Sequence, residues 1–293
     1  PLQSITDNDQ QKKRSDFNAN AAFNWEIVDN LRLKVEGGYQ EYTQTDDRFY
    51  GLTTYYVANN ATYKNAPANR YNDQKKRRFR NTNTLSYNFS KILDPSKHSL
   101  DLLVGQEMTI VKSSKFTNMV ENFPLSFYPE KAWNFMSSGT SVTSNNYLNA
   151  DDRLLSFFGR VDYSLMDKYY FDASIRNDEC SRFGPNNRHA TFWAGGAMWK
   201  MKRESFFQDA YWLRDLNMKV SYGTQGNASI GDYQHLALIG EMTDYATGSS
   251  LVLGQPSNAD LTWEKQSLLT VGFNGRLFDL VDFNIEYYNR KTS

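Results

Sequence analysis

Cysteine occurs once in the 293 residues, at Cys180, so no disulfide can form within the chain, and no Cys/His spacing resembles a zinc site. No apolar run approaches the roughly 18 to 20 residues that a membrane helix needs, which excludes helical spanning. Excess charge is missing too. Lys+Arg and Asp+Glu are 33 each, so the chain lacks the positive field of a nucleic-acid binder. There is no phosphate loop ending in Gly-Lys-Ser/Thr, no Gly-x-Ser-x-Gly elbow and no EF-hand spacing. Neither a repeat of solenoid or propeller period nor a low-complexity linker divides the chain. A signal peptide is absent: Pro1-Leu2-Gln3-Ser4 opens mid-sequence, and Lys291-Thr292-Ser293 directly follows a strand-like run. The expectation is a segment of a longer precursor.

Aromatic residues are plentiful, with 19 Tyr, 19 Phe and 6 Trp making up 15% of the chain. The mean hydropathy is nevertheless polar, at -0.68. Membrane β-barrels combine these properties, because each strand alternates lipid-facing apolar residues with lumen-facing polar ones and aromatic girdles line both interfaces.

A period of two runs through the sequence. Phe17, Ala19, Ala21, Phe23 and Trp25 share one parity against Asn18, Asn20, Asn24 and Glu26, and Leu31, Leu33, Val35 and Tyr39 follow a tight polar turn at 28–30. Similar hairpins are expected at 79–90 with 99–110, and at 155–165 with 169–176. Later strands are expected at 190–200, 214–223, 263–274 and 281–290. That makes about ten strands, most near the 9 to 11 residues that cross a bilayer when tilted. Short turns (27–30, 91–97, 166–168, 275–279) alternate with long polar loops (43–77, 111–152, 177–189, 224–262). The connection 201–213 is intermediate, with a brief helix expected at 204–208. Short periplasmic turns and long extracellular loops characterise outer-membrane barrels. The fold class read here is all-β: a transmembrane antiparallel β-barrel, about ten strands of a larger barrel. Ten strands with free edges should not close on themselves, since unpaired backbone groups in lipid cost several kcal/mol each. Parity turns Leu155, Phe157, Val161, Tyr163, Tyr169, Phe171, Ala173 and Ile175 outward.

From residue 153 onward the sequence resembles a known family. Ser156-Phe157-Phe158-Gly159-Arg160-Val161-Asp162-Tyr163, Lys168-Tyr169-Tyr170 and Ser181-Arg182-Phe183-Gly184-Pro185-Asn186-Asn187-Arg188 with Thr191-Phe192 are similar to the central barrel of SusC/RagA-like TonB-dependent outer-membrane transporters. Ser221-Tyr222-Gly223-Thr224-Gln225-Gly226-Asn227, Ile230-Gly231-Asp232-Tyr233, Leu261-Thr262-Trp263-Glu264-Lys265 and the closing Tyr287-Tyr288-Asn289-Arg290-Lys291-Thr292-Ser293 follow in the family's order. Two departures stand out: Asp178-Glu179-Cys180 replaces a usual Asp-Gly-Ser, reshaping a glycine turn, and Trp193 stands where proline is frequent. The resemblance implies a barrel of about 22 strands in the outer membrane of a Gram-negative bacterium. It also implies a plug and a TonB-contacting segment outside residues 1–293, and a SusD-like lipoprotein lid. Its implied function is import of an oligosaccharide or peptide ligand, with outer-membrane lipid around the barrel and no cofactor, metal or nucleic acid.

Candidate contacts to ligand or lid are aromatics in the long loops: Tyr55, Tyr56, Tyr63, Phe127, Tyr128, Trp133 and Tyr147. The plainer reading packs each within its own loop. Candidate lumen or plug contacts are the inward charges Arg32, Lys34, Glu36, Arg160, Asp162, Asp172, Arg176, Lys219 and Glu286, whose plainer reading is a wetted lumen. Loops 43–77 and 111–152 are expected outside the cell beneath the lid. Two other classes compete. A small barrel enzyme or porin would fit ten strands, with Asp151, Asp152, His189 and His235 near loops, but no spacing places a carboxylate against either imidazole. A soluble β-rich binding protein would also alternate, its apolar parity forming a sandwich core. Cys180 reads as an unpaired loop thiol and His98 as solvated.

Overall fold

The computed structural model describes residues 7–148, 152–231, 234–244 and 248–293. Thirteen strands lie among them. They are β1 (Asn8–Val28), β2 (Leu31–Tyr50), β3 (Ala68–Asn88), β4 (His98–Glu121), β5 (Thr140–Leu148), β6 (Asp152–Leu165), β7 (Tyr169–Cys180), β8 (His189–Lys200), β9 (Leu213–Asn227), β10 (Leu238–Asp244), β11 (Gly248–Gln255), β12 (Glu264–Leu277) and β13 (Val281–Thr292). Ten form a single path in the order β1-β2-β3-β4-β6-β7-β8-β9-β12-β13, with β5 paired to β4, and β10 and β11 forming a separate hairpin. Nearest neighbours in sequence are nearest neighbours in space, as in an up-and-down barrel wall. The path is open, with β1 and β13 as its ends.

Chain contacts divide the protein into two units. One comprises residues 1–20, 38–79 and 110–151; the other comprises 21–37, 80–109 and 152–293. In the second unit the register resolves the two faces. Phe157, Val161 and Tyr163 of β6 lie on the parity opposite Asn177, Ala173 and Phe171 of β7. That face continues through Ile175↔Trp193 and Ala173↔Gly195 to Tyr222, Val220, Leu269, Val271, Phe273, Tyr287 and Ile285. The other face carries Arg160, Asp162, Ser174, Asp172, Lys219, Thr270 and Glu286. Large apolar side chains of the first face are half or more exposed, including Phe157, Ile175, Trp193, Ile285 and Tyr287. A soluble sandwich would cover them. Lipid would leave them as they are.

Strands β1 to β4 are 20 to 24 residues long, twice the expected length. The expected loops 43–77 and 111–152 are shortened accordingly, and β5 occupies part of the second. The cause is visible in the first unit. Phe17 and Tyr39, with rings 6.3 Å apart, belong to the outward parity. Two residues further on, the same face holds Glu41, which receives Tyr39 Oη (2.7 Å), Arg77 Nε (2.7 Å) and Lys75 (3.4 Å). Charge on both faces puts this stretch beyond hydrocarbon, so the apolar period that betrays a spanning strand stops while the hydrogen-bonded ladder continues. From Tyr39 to Tyr50, β2 extends about 36 Å at the usual rise per residue.

The tight turns also follow from local chemistry. Met166 and Asp167 (φ 53° each), and Phe278 and Asp279 (φ 52° and 58°), are left-handed pairs. Lys168 N–H donates to Leu165 O (2.9 Å) and Leu280 N–H to Leu277 O (2.9 Å), which makes both loops type I′ turns matched to strand twist. Residues 201–212 hold two 3-10 turns, Met201–Arg203 and Ser205–Phe207, in place of the single expected helix.

Among the described residues, the buried apolar clusters sit under the long connections. In the second unit Cys180, Phe183, Ala190, Phe192 and Trp263 pack together, with Leu154, Ile230 and Leu261 against them. Cys180 is therefore a buried strand-end thiol and not a loop thiol, and β7 runs through Asp178-Glu179-Cys180 without the expected reshaped turn. Trp263 Nε1 donates to Arg188 O (3.2 Å), and Arg182 bridges Asp152 (2.6 Å). The quoted Ser181 to Arg188 motif is thus a staple for the loop. His98, expected to be solvated, bonds Tyr163 Oη (2.8 Å).

Val161 faces outward about 12 Å from the turn at residue 166, given five residues of rise and a strand tilted near 40°. Val161→Arg should destabilise the complete barrel by about 2 to 4 kcal/mol, the midplane value for a cation on the lipid face. Urea titration in liposomes measures it, and a cost below about 0.5 kcal/mol would place Val161 away from lipid.

Candidate functional site

Three regions concentrate chemistry, and they differ in what the neighbouring backbone does. The polar face of the second unit is built on straight ladder, so its side chains stand at strand spacing and meet their neighbours laterally. Arg176 is its hub. Its Nε donates to Asp178 (2.6 Å), its Nη2 to Ser156 Oγ (2.8 Å) and more distantly to Glu107 (3.4 Å), and its guanidinium lies 5.5 Å from the Phe158 ring centre. Arg80 closes on Glu107 from the other side at 2.5 Å. Arg160 pairs with Asp162 (2.7 Å) and Lys34 with Glu36 (2.8 Å), each two residues apart on one face. Lys219 pairs with Glu286, and the pair lies across Gly272. A Cβ on Gly272 would fall 2.8 Å from Lys219 Cε and 3.1 Å from Glu286 Cγ, so glycine is what lets the bridge lie flat. Asp172 similarly lies over Gly196, where a Cβ would come within 2.6 Å of its Oδ1.

All the inward candidates except Arg32 and Asp172 are therefore ion-paired; Arg32 is exposed, and Asp172 lies beside a cavity of about 520 Å³ that also holds Asp101, Asp162, Lys219 and Ser221. Glu107, Arg80, Asp178 and Asp101 complete these clusters, yet sequence reading passed over them. Their period-two positions were the available signal.

The second region is loop chemistry of the first unit. A single-turn helix α1 (Tyr55–Ala58) is capped by Thr54, whose Oγ1 accepts from Val57 N–H, and Val57 is buried at 1% exposure. Tyr56 donates to Glu121 and lies 4.7 Å from the Tyr50 ring. Burial and the Glu121 carboxylate raise the Tyr56 pKa, holding the phenol protonated. Tyr55, Tyr56 and Tyr63 line a cavity of about 690 Å³ with Asn59, Thr62 and Glu121. Across the second loop, α2 (Pro129–Asn134) buries Ala132 against Phe49, Val120 and Phe123. Phe127 stacks on Phe123 (5.5 Å), and Trp133 Nε1 donates to fully buried Asn69 (3.1 Å). The seven loop aromatics thus divide: Phe127 packs within its own loop, Trp133 ties that loop to β3 through Asn69, Tyr56 bonds Glu121, Tyr63 is half-buried, and Tyr55, Tyr128 and Tyr147 are exposed.

The third region is the rim at the tight turns, where each turn is bonded to the next. Asn88 N–H donates to Asn30 O (3.1 Å), Met166 N–H to Lys97 O (2.5 Å), Lys200 N–H to Lys168 O (2.8 Å) and Phe278 N–H to Trp212 O (2.7 Å). Ion pairs accompany these bonds, including Lys91 with Asp29, Lys200 with Asp167 (3.1 Å) and Arg214 with Asp279 (2.6 Å). Glu204 accepts from Tyr169 Oη (2.6 Å), Lys168 (3.0 Å) and Trp199 Nε1 (3.1 Å).

Among the described residues no three His, Cys, Asp or Glu side chains converge as a metal site. His235 Nδ1 meets a backbone carbonyl, that of Arg182 (3.1 Å), and Asp152 is committed to Arg182. His189 is exposed at the start of β8, and Asp151 lies outside the described residues.

A lipid-facing apolar surface, a charged opposite face and unequal ends define the wall of an outer-membrane β-barrel. The chain belongs to the TonB dependent receptor-like, beta-barrel family, which matches residues 2–293. It is 28% identical to TonB-dependent receptor P3 of Formosa agariphila and 28% identical to TonB-dependent receptor SusC of Bacteroides thetaiotaomicron, in each case over 100% of this chain and 28% of the relative. The chain therefore spans little more than a quarter of the length of these relatives. Among solved structures, the RagAB peptide transporter superposes with a TM-score of 0.83 at 27% identity, covering 98% of this chain and 31% of that one. Barrels of this family lie in the outer membrane of Gram-negative bacteria.

Arg176→Ala should cost about 1 to 2 kcal/mol, because it leaves two mostly buried carboxylates short of donors, discounted for an arginine that is a third exposed. Arg160→Ala removes an exposed pair and should cost under about 0.5 kcal/mol. Paired urea titrations in liposomes compare them, and equal costs would refute the hub. At the rim, the hydrogen bonds from Tyr169, Lys168 and Trp199 hold the Glu204 pKa below its ordinary value. A carboxylate depressed in the folded state stabilises above its unfolded pKa, and that contribution disappears as pH falls through the folded one. Amide exchange across 201–212 should therefore accelerate only below the ordinary carboxylate range, and Glu204→Gln should accelerate it at neutral pH.

Proposed function

We propose that these residues form part of the wall of a SusC-like TonB-dependent importer, which takes up a glycan or peptide nutrient together with a SusD-like surface lipoprotein. The observation that carries this reading is the two-sided charge of the extended β1–β4 segment. Strands that continue as paired ladder past the lipid boundary make a rigid collar at the long-loop end, where a capturing partner would sit. Exposed Tyr55 and Tyr128 supply adaptable aromatic anchors there. The similarity to SusC and to the RagAB peptide transporter supports the partnership and the oligomeric ligand. In this reading TonB, driven by the proton gradient across the inner membrane, displaces a plug carried elsewhere in a longer protein. Residues 1–293 then act as a partial barrel domain, and the polar face of the second unit supplies a lumen most of whose candidate charges are already paired. Such a lining lets a polar ligand pass without a deep electrostatic well.

Catalysis has no place in this reading. Its support is that two of the four candidates are spent on structure, His235 on a backbone carbonyl and Asp152 on Arg182. The decisive experiment uses the full-length protein expressed with its adjacent lipoprotein. Tyr55→Ala combined with Tyr128→Ala should reduce lipoprotein co-purification and nutrient uptake several-fold while the barrel keeps its heat-modifiable gel mobility. Unchanged capture and uptake would remove these loops from the partner interface. Trp133→Ala serves as a contrast, since it should loosen the loop itself and increase protease cleavage within 121–139.

A further inference from the structure

One group of cations is left unspent. Within the first unit, the even-numbered positions of β1, β2 and β3 share a face and line a cleft of about 390 Å³. Arg14, Lys76 and Arg78 bring positive charge to it, against the single carboxylate of Asp16. The remaining lining is Gln40, Gln74 and Tyr42. Arg14 is held in place: its Nε forms an ion pair with Asp16 (2.6 Å) and its guanidinium lies 5.0 Å from the centre of the Tyr42 ring, while its two terminal nitrogens have no partner among the described residues. Lys76 and Arg78 are exposed and form no ion pair among the described residues.

The opposite face of the same strands is arranged otherwise. There Glu41 takes both Lys75 and Arg77. The Asp46 carboxylate accepts from Gln10 (2.6 Å) and is not among the residues lining the cleft. Adjacent residues of one strand are thus treated differently: Lys75 and Arg77 share the Glu41 carboxylate, while Lys76 and Arg78 on the other face have no carboxylate partner among the described residues. Unpaired cations in a concave site focus positive potential and raise the local concentration of anions.

We infer that this cleft is a binding subsite for an oligosaccharide bearing carboxylate or sulfate groups. Arginine presents a planar fork that matches such groups, with lysine as a point charge beside it. The two glutamine amides and the Tyr42 hydroxyl each donate and accept, as a chain of sugar hydroxyls requires. No aliphatic side chain lines the cleft, so it holds nothing for the apolar side chains of a mixed peptide. This inference rests on the import reading above and sharpens its substrate class.

The test is direct binding to the purified full-length protein by calorimetry, with three hexamers of equal length as saccharide probes: an oligogalacturonate, a sulfated galactan and neutral maltohexaose. Hexaglutamate is the peptide control. At least one anionic saccharide should bind at least about tenfold more tightly than maltohexaose, and should lose that margin at 0.5 M salt through screening. Lys76→Gln combined with Arg78→Gln should weaken it about tenfold or more and leave gel mobility unchanged. Equal affinity for maltohexaose, or no loss in the double variant, would overturn the inference. So would hexaglutamate binding as tightly with the same loss, which would assign the cleft to acidic peptides. Uptake is measured separately: an anionic saccharide that binds through these residues but is never imported would leave the subsite standing and remove the transport reading.

Discussion

A peptide group in hydrocarbon has no water to bond, and each one left unpaired costs several kcal/mol. The rest of this structure depends on that constraint. It forces every spanning segment into a ladder with a neighbour on each side, and so sets the order β1-β2-β3-β4-β6-β7-β8-β9-β12-β13 with no crossover. With the backbone spent on the ladder, side chains are divided between two environments by parity alone. One face of the second unit is consequently free to be Phe157, Ile175, Trp193 and Ile285, and the other to be Arg160, Asp172, Lys219 and Glu286. The open path, with β1 and β13 as its ends, also follows from the constraint: a wall of this kind requires further strands on both sides.

Where lipid ends, the constraint relaxes and the two ends of the strands diverge. On the tight-turn side the chain reverses at once, using left-handed pairs such as Phe278 and Asp279. At the other end the ladder continues with charge on both faces, and small apolar cores form beneath the loops. Phe123 and Ala132 in one unit, and Phe183 and Trp263 in the other, give those connections fixed shapes instead of leaving them as tethers. Exposed tyrosines and uncompensated cations are then carried on ordered backbone, which is a condition for selective binding.

The spanning ladder was legible because lipid imposes a two-residue period that no soluble loop imitates. Ten spanning strands and the four tight turns could be read from residues such as Phe17, Phe157 and Val281. The extensions of β2, β3 and β4 were not legible, since beyond the membrane both faces are polar and residues such as Glu41, Lys75 and Arg77 look like a loop. β5 was hidden for the same reason, and β10 and β11 fall within the connection 224–262 that was read as one long loop. The polar-face charges were found by parity, but their partners were not: Arg176 meets Glu107 from 69 residues away, and only the ladder brings them together. The cationic cleft was missed because it spans a stretch taken for loop. Cys180 was assigned to a loop and His98 to solvent because their neighbours, Trp263 and Tyr163, are remote in sequence.

The belt of bonds joining each tight turn to the next gives the rim a mechanical property that separate hairpins lack. A pull on one hairpin end would be passed sideways through Lys97 to Met166, Lys168 to Lys200 and Trp212 to Phe278, so the load is shared along the row of turns. Peeling a single hairpin away would require breaking backbone bonds on both its flanks at once. The row of tight turns therefore resists deformation as one belt.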